Sequence, residues 1–223
     1  MEDVIWANEK TCFGSSTKSV YNEGNEIHFS TSVTKASIDE LIKLIYNVIW
    51  CYQKKATGYV KPEDSKIQII LHIDSPGGSV SALLKFVDFC SIIKEKNNVE
   101  LITIGSGLVT SAATIMCLMG DKRLLTKNCT FMIHELSTGH SSQFTRFKTY
   151  MKHIQDLNDT LSELYLDNSN MSSEEVETLL RKETWLTAEE ALEYELVDEI
   201  VGKTSKKRKI KFPERSSKRQ RKD

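Results

Sequence analysis

The stretch Ile67-Gln68-Ile69-Ile70-Leu71-His72-Ile73-Asp74-Ser75-Pro76-Gly77-Gly78-Ser79 decides the fold. Its first seven residues are almost continuously apolar, the pattern of a strand buried on both faces of a parallel sheet. Pro76 stops the strand, and Gly77 and Gly78 let the backbone turn with φ > 0 and approach a neighbour closely. The spacing that follows predicts a helix over about Ser79–Lys96, with Leu83, Leu84, Val87, Phe89, Cys90 and Ile93 mostly on one stripe. Bare N–H groups at such a strand-to-helix junction stabilise an anion or a developing oxyanion. Taken alone, the same glycines fit a tight turn with no ligand equally well.

Working outward, Ile27–Ser32 alternates like a short strand. Ser37 with Glu40 three residues later predicts a capped helix carrying Ile38, Leu41, Ile42, Ile45, Val48 and Ile49 on one face. The polar stretch Gln53–Ser65 reads as a loop. Glu100–Ile104 reads as a second strand, Gly105 and Gly107 as a turn, and about Ser111–Met119 as an apolar helix. Further strands are expected from Lys122 and over Thr130–His134 and Val197–Val201. A long helix over Ser142–Asn168 carries Phe144, Phe147, Met151, Ile154, Leu157, Leu161 and Leu164 at spacings of three and four. Ser172 with Glu175, and Thr187 with Glu190, cap two short helices. Strand and helix alternate along most of the chain, so the class is α/β with a mainly parallel β-sheet.

With 223 residues, 39% apolar and 27% charged, the chain suits one globular domain with tails and excludes global disorder. No apolar run reaches the ~18 residues that cross a bilayer, and Met1-Glu2-Asp3 lacks a signal-peptide pattern. A cytoplasmic, non-secreted protein is expected. The five cysteines are odd in number, form no CxxC pair and show no zinc-ligand cluster; Cys90 and Cys117, in apolar helical stretches, read as buried thiols, and a reducing compartment is expected. The net charge of -1 hides an asymmetry: residues 203–223 hold 11 Lys/Arg against two acids, and the other 202 hold 19 against 29. Three segments result: a variable N-terminus over 1–25 read as loosely structured, a folded domain over 26–202, and a basic tail over 203–223 whose composition predicts disorder. The tail's clusters Lys206–Lys209 and Lys218–Lys222 read as a nuclear-import address, a weak salt-sensitive nucleic-acid contact, or a solubilising tail.

Two further features carry chemistry. In Gly105-Ser106-Gly107-Leu108-Val109-Thr110-Ser111-Ala112-Ala113 a serine begins a helix of small residues, and alone it would be a simple N-cap. Phe131-Met132-Ile133-His134 ends an apolar strand in a histidine, which alone would be a packing residue. Together the chain offers an oxyanion-type loop, a serine at a helix start and a histidine at a strand end, where α/β sheets place active sites. A nucleophilic serine needs such a base and such donors.

These residues resemble the Clp protease proteolytic subunit family, the S14 serine peptidases. The pieces are Ile73-Asp74-Ser75-Pro76-Gly77-Gly78-Ser79-Val80, Thr110-Ser111-Ala112-Ala113, Met132-Ile133-His134, and Trp185-Leu186-Thr187-Ala188-Glu189-Glu190-Ala191 running on to Leu196-Val197-Asp198. The likeness spans roughly Glu26 to Val201. Ser111-Ala112-Ala113-Thr114 with Met119-Gly120-Asp121 resembles the virus- and phage-associated branch. The resemblance implies a ClpP/crotonase-like fold with ββα-type units and a protruding handle helix over Ser142–Asn168.

It also implies a serine endopeptidase acting on peptides or unfolded proteins through an acyl-enzyme. Ser111 would be the nucleophile, His134 the general base, and Gly78 and Ala112 the oxyanion-hole donors. The family's aspartate position falls on Glu183, two residues before Trp185, with Asp167 and Asp198 as weaker rivals. No metal or organic cofactor is implied. Homo-oligomeric rings are, as is an AAA+ unfoldase partner, although the N-terminal segment shows none of the family's axial-gate motif. Glu195 stands where the family has a helix-terminating glycine. The substituted acid and the altered loop around Ser111 keep open a catalytically silent ring subunit, and the broader fold keeps open a crotonase-type acyl-CoA enzyme.

Overall fold

The computed structural model describes residues 19–56 and 66–202. The basic tail lies outside the described residues, as do the first eighteen residues and residues 57–65 of the expected 53–65 loop. The chain runs β1 (Val20–Glu23), β2 (Glu26–Phe29), α1 (Lys35–Ala56), β3 (Ile67–Ser75), α2 (Val80–Asn97), β4 (Val99–Thr110), α3 (Ala112–Leu118), β5 (Lys122–Thr126), β6 (Thr130–Ile133), α4 (Phe144–Asp167), α5 (Ser173–Arg181), β7 (Thr184–Leu186), α6 (Ala188–Glu193) and β8 (Glu199–Val201).

One sheet runs in the order β1-β2-β3-β4-β5-β8, and β6 branches from β4 to pair with β7. Only β1–β2 and β6–β7 are antiparallel; the other five pairings are parallel. This is the α/β class with a mainly parallel sheet that the alternation of patterns implied. β3 is the strand with which the reading began. Its Ile67, Ile69, Leu71 and Ile73 are fully or nearly fully buried, against a core that includes Ile38, Leu41 and Ile45 of α1, Leu83 and Phe86 of α2, and Ile115 and Met116 of α3.

Four local expectations are corrected. The segment read as loosely structured contains β1, whose Val20 and Asn22 are buried against the sheet. Helix α1 starts at Lys35, not Ser37, because Thr34 and Ser37 cap each other: Thr34 N–H donates to Ser37 Oγ at 2.9 Å and Ser37 N–H to Thr34 Oγ1 at 3.1 Å. The same helix continues to Ala56, through the start of the expected loop. Finally, Gly105 and Gly107 do not turn the chain. They lie within β4, a single twelve-residue strand.

Their role is close packing. A Cβ at Gly105 would strike the Leu125 side chain, and one at Gly107 would lie 2.9 Å from Asp74 Oδ1. Because β4 runs on, it pairs with β5 through residues 102–105 and then with β6 through 108–110. That change of partner brings β6 beside the end of β4.

The other caps form as the sequence predicts. Ser172 with Glu175 and Thr187 with Glu190 are both reciprocal capping boxes. Helix α4 divides in two. Leu161 and Tyr165 are buried, whereas Phe144, Phe147 and Met151 stand 74, 40 and 47% exposed. Among the described residues, the outer half of the apolar stripe has no core of its own to cover it. His140 stacks on Tyr150 with ring centroids 4.0 Å apart, a packing role. No helix among the described residues is long and apolar enough to cross a membrane.

Candidate active site

Ser111 follows the last residue of β4 and precedes α3, with φ 57° and ψ −128°. That backbone is sparsely populated for a residue with a Cβ and persists only where neighbours enforce it. Three contacts do so. Ser111 N–H donates to Met132 O at 2.9 Å. Thr114 N–H and Thr114 Oγ1 both donate to the Ser111 carbonyl, at 2.9 and 2.6 Å. Gly77 packs so closely that a Cβ there would lie 2.5 Å from Thr110 O, 2.7 Å from Ser111 Cβ and 2.9 Å from Ala112 N. The serine occupies the N-cap position of α3, but its side chain makes no capping hydrogen bond.

The glycine loop is pinned to the chain before α1. Val33 N–H donates to Gly77 O at 2.7 Å and Ser79 N–H donates to Val33 O at 2.8 Å. This one-residue parallel bridge uses the Gly77 carbonyl and the Ser79 N–H, while Gly77 N–H donates to Ser75 Oγ at 3.1 Å; among the described residues no acceptor takes the Gly78 N–H. A Cβ at Gly78 would strike Val33 O, so the position requires glycine. Ala112 is the first residue of α3, and its N–H has no intrahelical acceptor. Two spare amides thus flank the serine.

Gly78, Ser111, Ala112 and His134 line one cavity of about 110 Å³. Its lining mixes apolar Val80, Leu83, Ile115, Leu161 and Leu180 with polar Glu135 and Ser137, and α4 closes one side through Asn158, Leu161 and Tyr165. His134 follows the last residue of β6, which runs parallel to β4 with Thr110 opposite Met132. Serine and histidine therefore sit just past the same ends of two adjacent parallel strands.

Glu183 is placed by β7. The antiparallel β6–β7 register pairs Phe131 with Leu186, Met132 with Trp185 and Ile133 with Thr184. Continued by one residue, it sets Glu183 opposite His134. Glu183 leaves the ladder with φ 49°, and both its N–H and that of Glu135 donate to Leu180 O, at 3.4 and 2.9 Å. Its side chain is exposed and does not line the cavity. Among the described residues no hydrogen bond joins the side chains of Ser111, His134 and Glu183.

The rival acids lie elsewhere. Asp167 and Asp198 line a different, polar cavity with Arg123. Asp198 accepts from Arg123 N at 2.7 Å and from its guanidinium at 2.6 and 3.2 Å, a structural tie between β5 and the approach to β8. Burial opposes ionisation of Asp198, and the hydrogen bonds and charge of Arg123 more than offset it, so its carboxyl is held below the usual range. Asp74 is occupied as well, accepting from Leu108 N at 3.0 Å. Cys90 and Cys117 do not line this cavity. Burial pushes the Cys90 thiol up to about 12 and raises that of Cys117 still further, so both stay protonated.

Sequence reasoning missed β7, a three-residue strand too short to show a period, and with it the β6–β7 ladder that ends one residue short of His134 and Glu183. It also missed Tyr165 and Thr114 behind the serine. The signal for Tyr165 was one hydroxyl-bearing residue on an otherwise apolar helix face.

A family model described as Clp protease matches residues 53–204. Two curated relatives, each an ATP-dependent Clp protease proteolytic subunit, come from Streptococcus pneumoniae strains Hungary19A-6 and CGSP14. Each is 33% identical over 151 residues, covering 66% of this chain and 75% of the relative.

Proposed function

The chain belongs to the Clp protease family, and from that premise we propose that it is a serine endopeptidase whose nucleophile is Ser111. The observation that carries the reading is the convergence of Ser111, His134 and the spare Gly78 and Ala112 amides on one cavity. In this reading His134 takes the Ser111 proton as Oγ attacks the scissile carbonyl. The carbonyl oxygen becomes an oxyanion held by the Gly78 and Ala112 N–H groups, and losing one such donor typically costs ~10²–10³ in turnover. His134 then gives the proton to the leaving amine, and water hydrolyses the acyl-enzyme by the same route reversed. Glu183 fixes the imidazole's orientation from the neighbouring strand.

The missing Ser111–His134 hydrogen bond is compatible with this role, because such bonds commonly tighten only when substrate is bound. The apolar residues of the lining suit one medium-sized aliphatic side chain of a peptide or unfolded segment. The chemistry calls for no metal or organic cofactor, and an AAA+ unfoldase would supply any dependence on ATP. Homo-oligomeric rings complete the proposal. Phe144, Phe147 and Met151, a protruding apolar stripe, support an assembly surface on α4.

A fluorophosphonate probe tests the nucleophile. Labelling of wild type that is lost in Ser111→Ala is the expected result. A second reading, a catalytically silent ring subunit, is favoured by the exposed Glu183 and the unbonded side chains. Absence of Ser111-dependent labelling in assembled protein would select it.

A further inference from the structure

On the opposite side of the sheet from the α1–α3 core, β1, β2 and β3 present a row of aromatic side chains. Tyr21, His28 and His72 are successive register partners across the three strands. The Tyr21 and His28 rings stack with centroids 4.6 Å apart, and the His28 and His72 rings with centroids 4.5 Å apart. Strand alternation puts Glu26, two residues before His28, on the same face. Its carboxylate reaches diagonally to His72, with Oε2 2.9 Å from Nε2. One ligand atom from each of Glu26, His28 and His72 can be chosen so that all three lie within 4.8 Å of one another, and all three residues are half-buried.

We propose that Glu26, His28 and His72 form a binding site for a divalent transition cation of the zinc class. Two imidazole nitrogens and one carboxylate are the donor set of a three-ligand zinc site with an open position, and they suit zinc, nickel or copper rather than magnesium or calcium.

The backbone needs no rearrangement, because the ligands come from two strands already fixed in register. The rings tilt from their stack until the nitrogens are about 3.3 Å apart, the separation two ligands have at ~2.0–2.1 Å from a tetrahedral ion. The His72–Glu26 hydrogen bond is given up on binding, when both atoms turn to the ion. Charge favours the same outcome. Glu23 is the register partner of Glu26, and among the described residues neither carboxylate is paired with a lysine or arginine. A bound cation would neutralise this patch and clamp the β1–β2 hairpin to β3. The site lies apart from the Ser111 cavity and does not depend on how that cavity is read.

Titration of the full chain with Zn²⁺ against a chromophoric chelator tests the site. One equivalent is expected to bind, with affinity falling at least tenfold in Glu26→Gln and further in His28→Gln/His72→Gln, in line with the ~10–100-fold losses seen when zinc sites are disturbed. Equal uptake and affinity in wild type and the double variant would overturn the proposal. The Co²⁺ spectrum of wild type reads the donor set without depending on any variant. Nitrogen and oxygen ligation gives visible bands alone, whereas an intense thiolate-to-cobalt band would assign the metal to cysteine and equally overturn it.

Discussion

Tyr165 Oη lies 2.6 Å from Thr114 Oγ1 in the buried interior behind the serine. The Thr114 hydroxyl proton is already committed to the Ser111 carbonyl at 2.6 Å, so Tyr165 is the donor. Burial raises the phenol above its usual pKa, which keeps that proton in place. A chain of two hydrogen bonds thus runs from α4 to the strained turn at Ser111. Tyr165→Phe removes one of them and is expected to cost about 1 kcal/mol. Thr114→Val keeps the shape but orphans the Tyr165 hydroxyl and weakens the Ser111 carbonyl's bonding, for about 1–3 kcal/mol. Urea unfolding measures both, and equal losses would contradict the assigned direction.

Gly77→Ala is expected to be far more damaging than its size suggests. Gly77 has φ 81°, and the added methyl would meet backbone at Thr110 and Ala112 as well as Ser111 Cβ. The left-handed backbone costs ~1–2 kcal/mol and the overpacking another ~1–3 kcal/mol. Probe labelling of Ser111 should disappear even in protein that remains folded by circular dichroism.

Glu183→Gln keeps the shape and removes the charge that would hold the His134 imidazolium. If Glu183 is the third member of the triad, kcat should fall about 10²–10⁴-fold with KM little changed, and Glu183→Asp should retain much of the rate. Peptidase kinetics on the three proteins decide this; unchanged kcat in Glu183→Gln would remove the residue from the mechanism.

Glu195→Gly is expected to stabilise the protein by about 0.5–1 kcal/mol. Helix α6 ends in a Schellman motif, with Leu196 N–H donating to Ala191 O and Glu195 N–H to Leu192 O, both at 3.0 Å. Glu195 takes φ 53° there, at a position that favours glycine. The thermal midpoint should rise without a change at the Ser111 cavity.

Asp198→Asn should weaken the fold at neutral pH by about 1 kcal/mol, solvent screening included. The folded carboxyl is held below its usual pKa, so its stabilisation is present above the unfolded value near ~4 and is lost as pH falls through the folded one. The gap between wild type and Asp198→Asn, measured by urea unfolding, should be constant from pH 5 to pH 7 and close below about pH 4.

Much of this molecule was legible before folding. The run Ile67–Ile73 and the capping boxes at Ser172 and Thr187 are local patterns that form where their residues say they should, whereas the box expected from Ser37 and Glu40 gives way to the Thr34–Ser37 pair. The serine, the histidine and the glycine loop were legible because each ends or begins an element. What was lost falls at places where distant contacts override local preference. Gly105 and Gly107 signal a turn by composition, yet Leu125 and Asp74 need their missing side chains, and the strand continues through them with a shift of register against β3.

The sequence by itself determined the elements, because hydrophobic period, proline stops and capping side chains act within a few residues of one another. Only the tertiary structure decided that β4 leaves β5 for β6, that β6 carries β7 on its other edge, and that Ser111, His134 and Glu183 therefore stand at neighbouring strand ends. Ladder hydrogen bonds are the same for every sequence. Which strands share them is chosen by packing between segments far apart along the chain, and no local pattern records that choice.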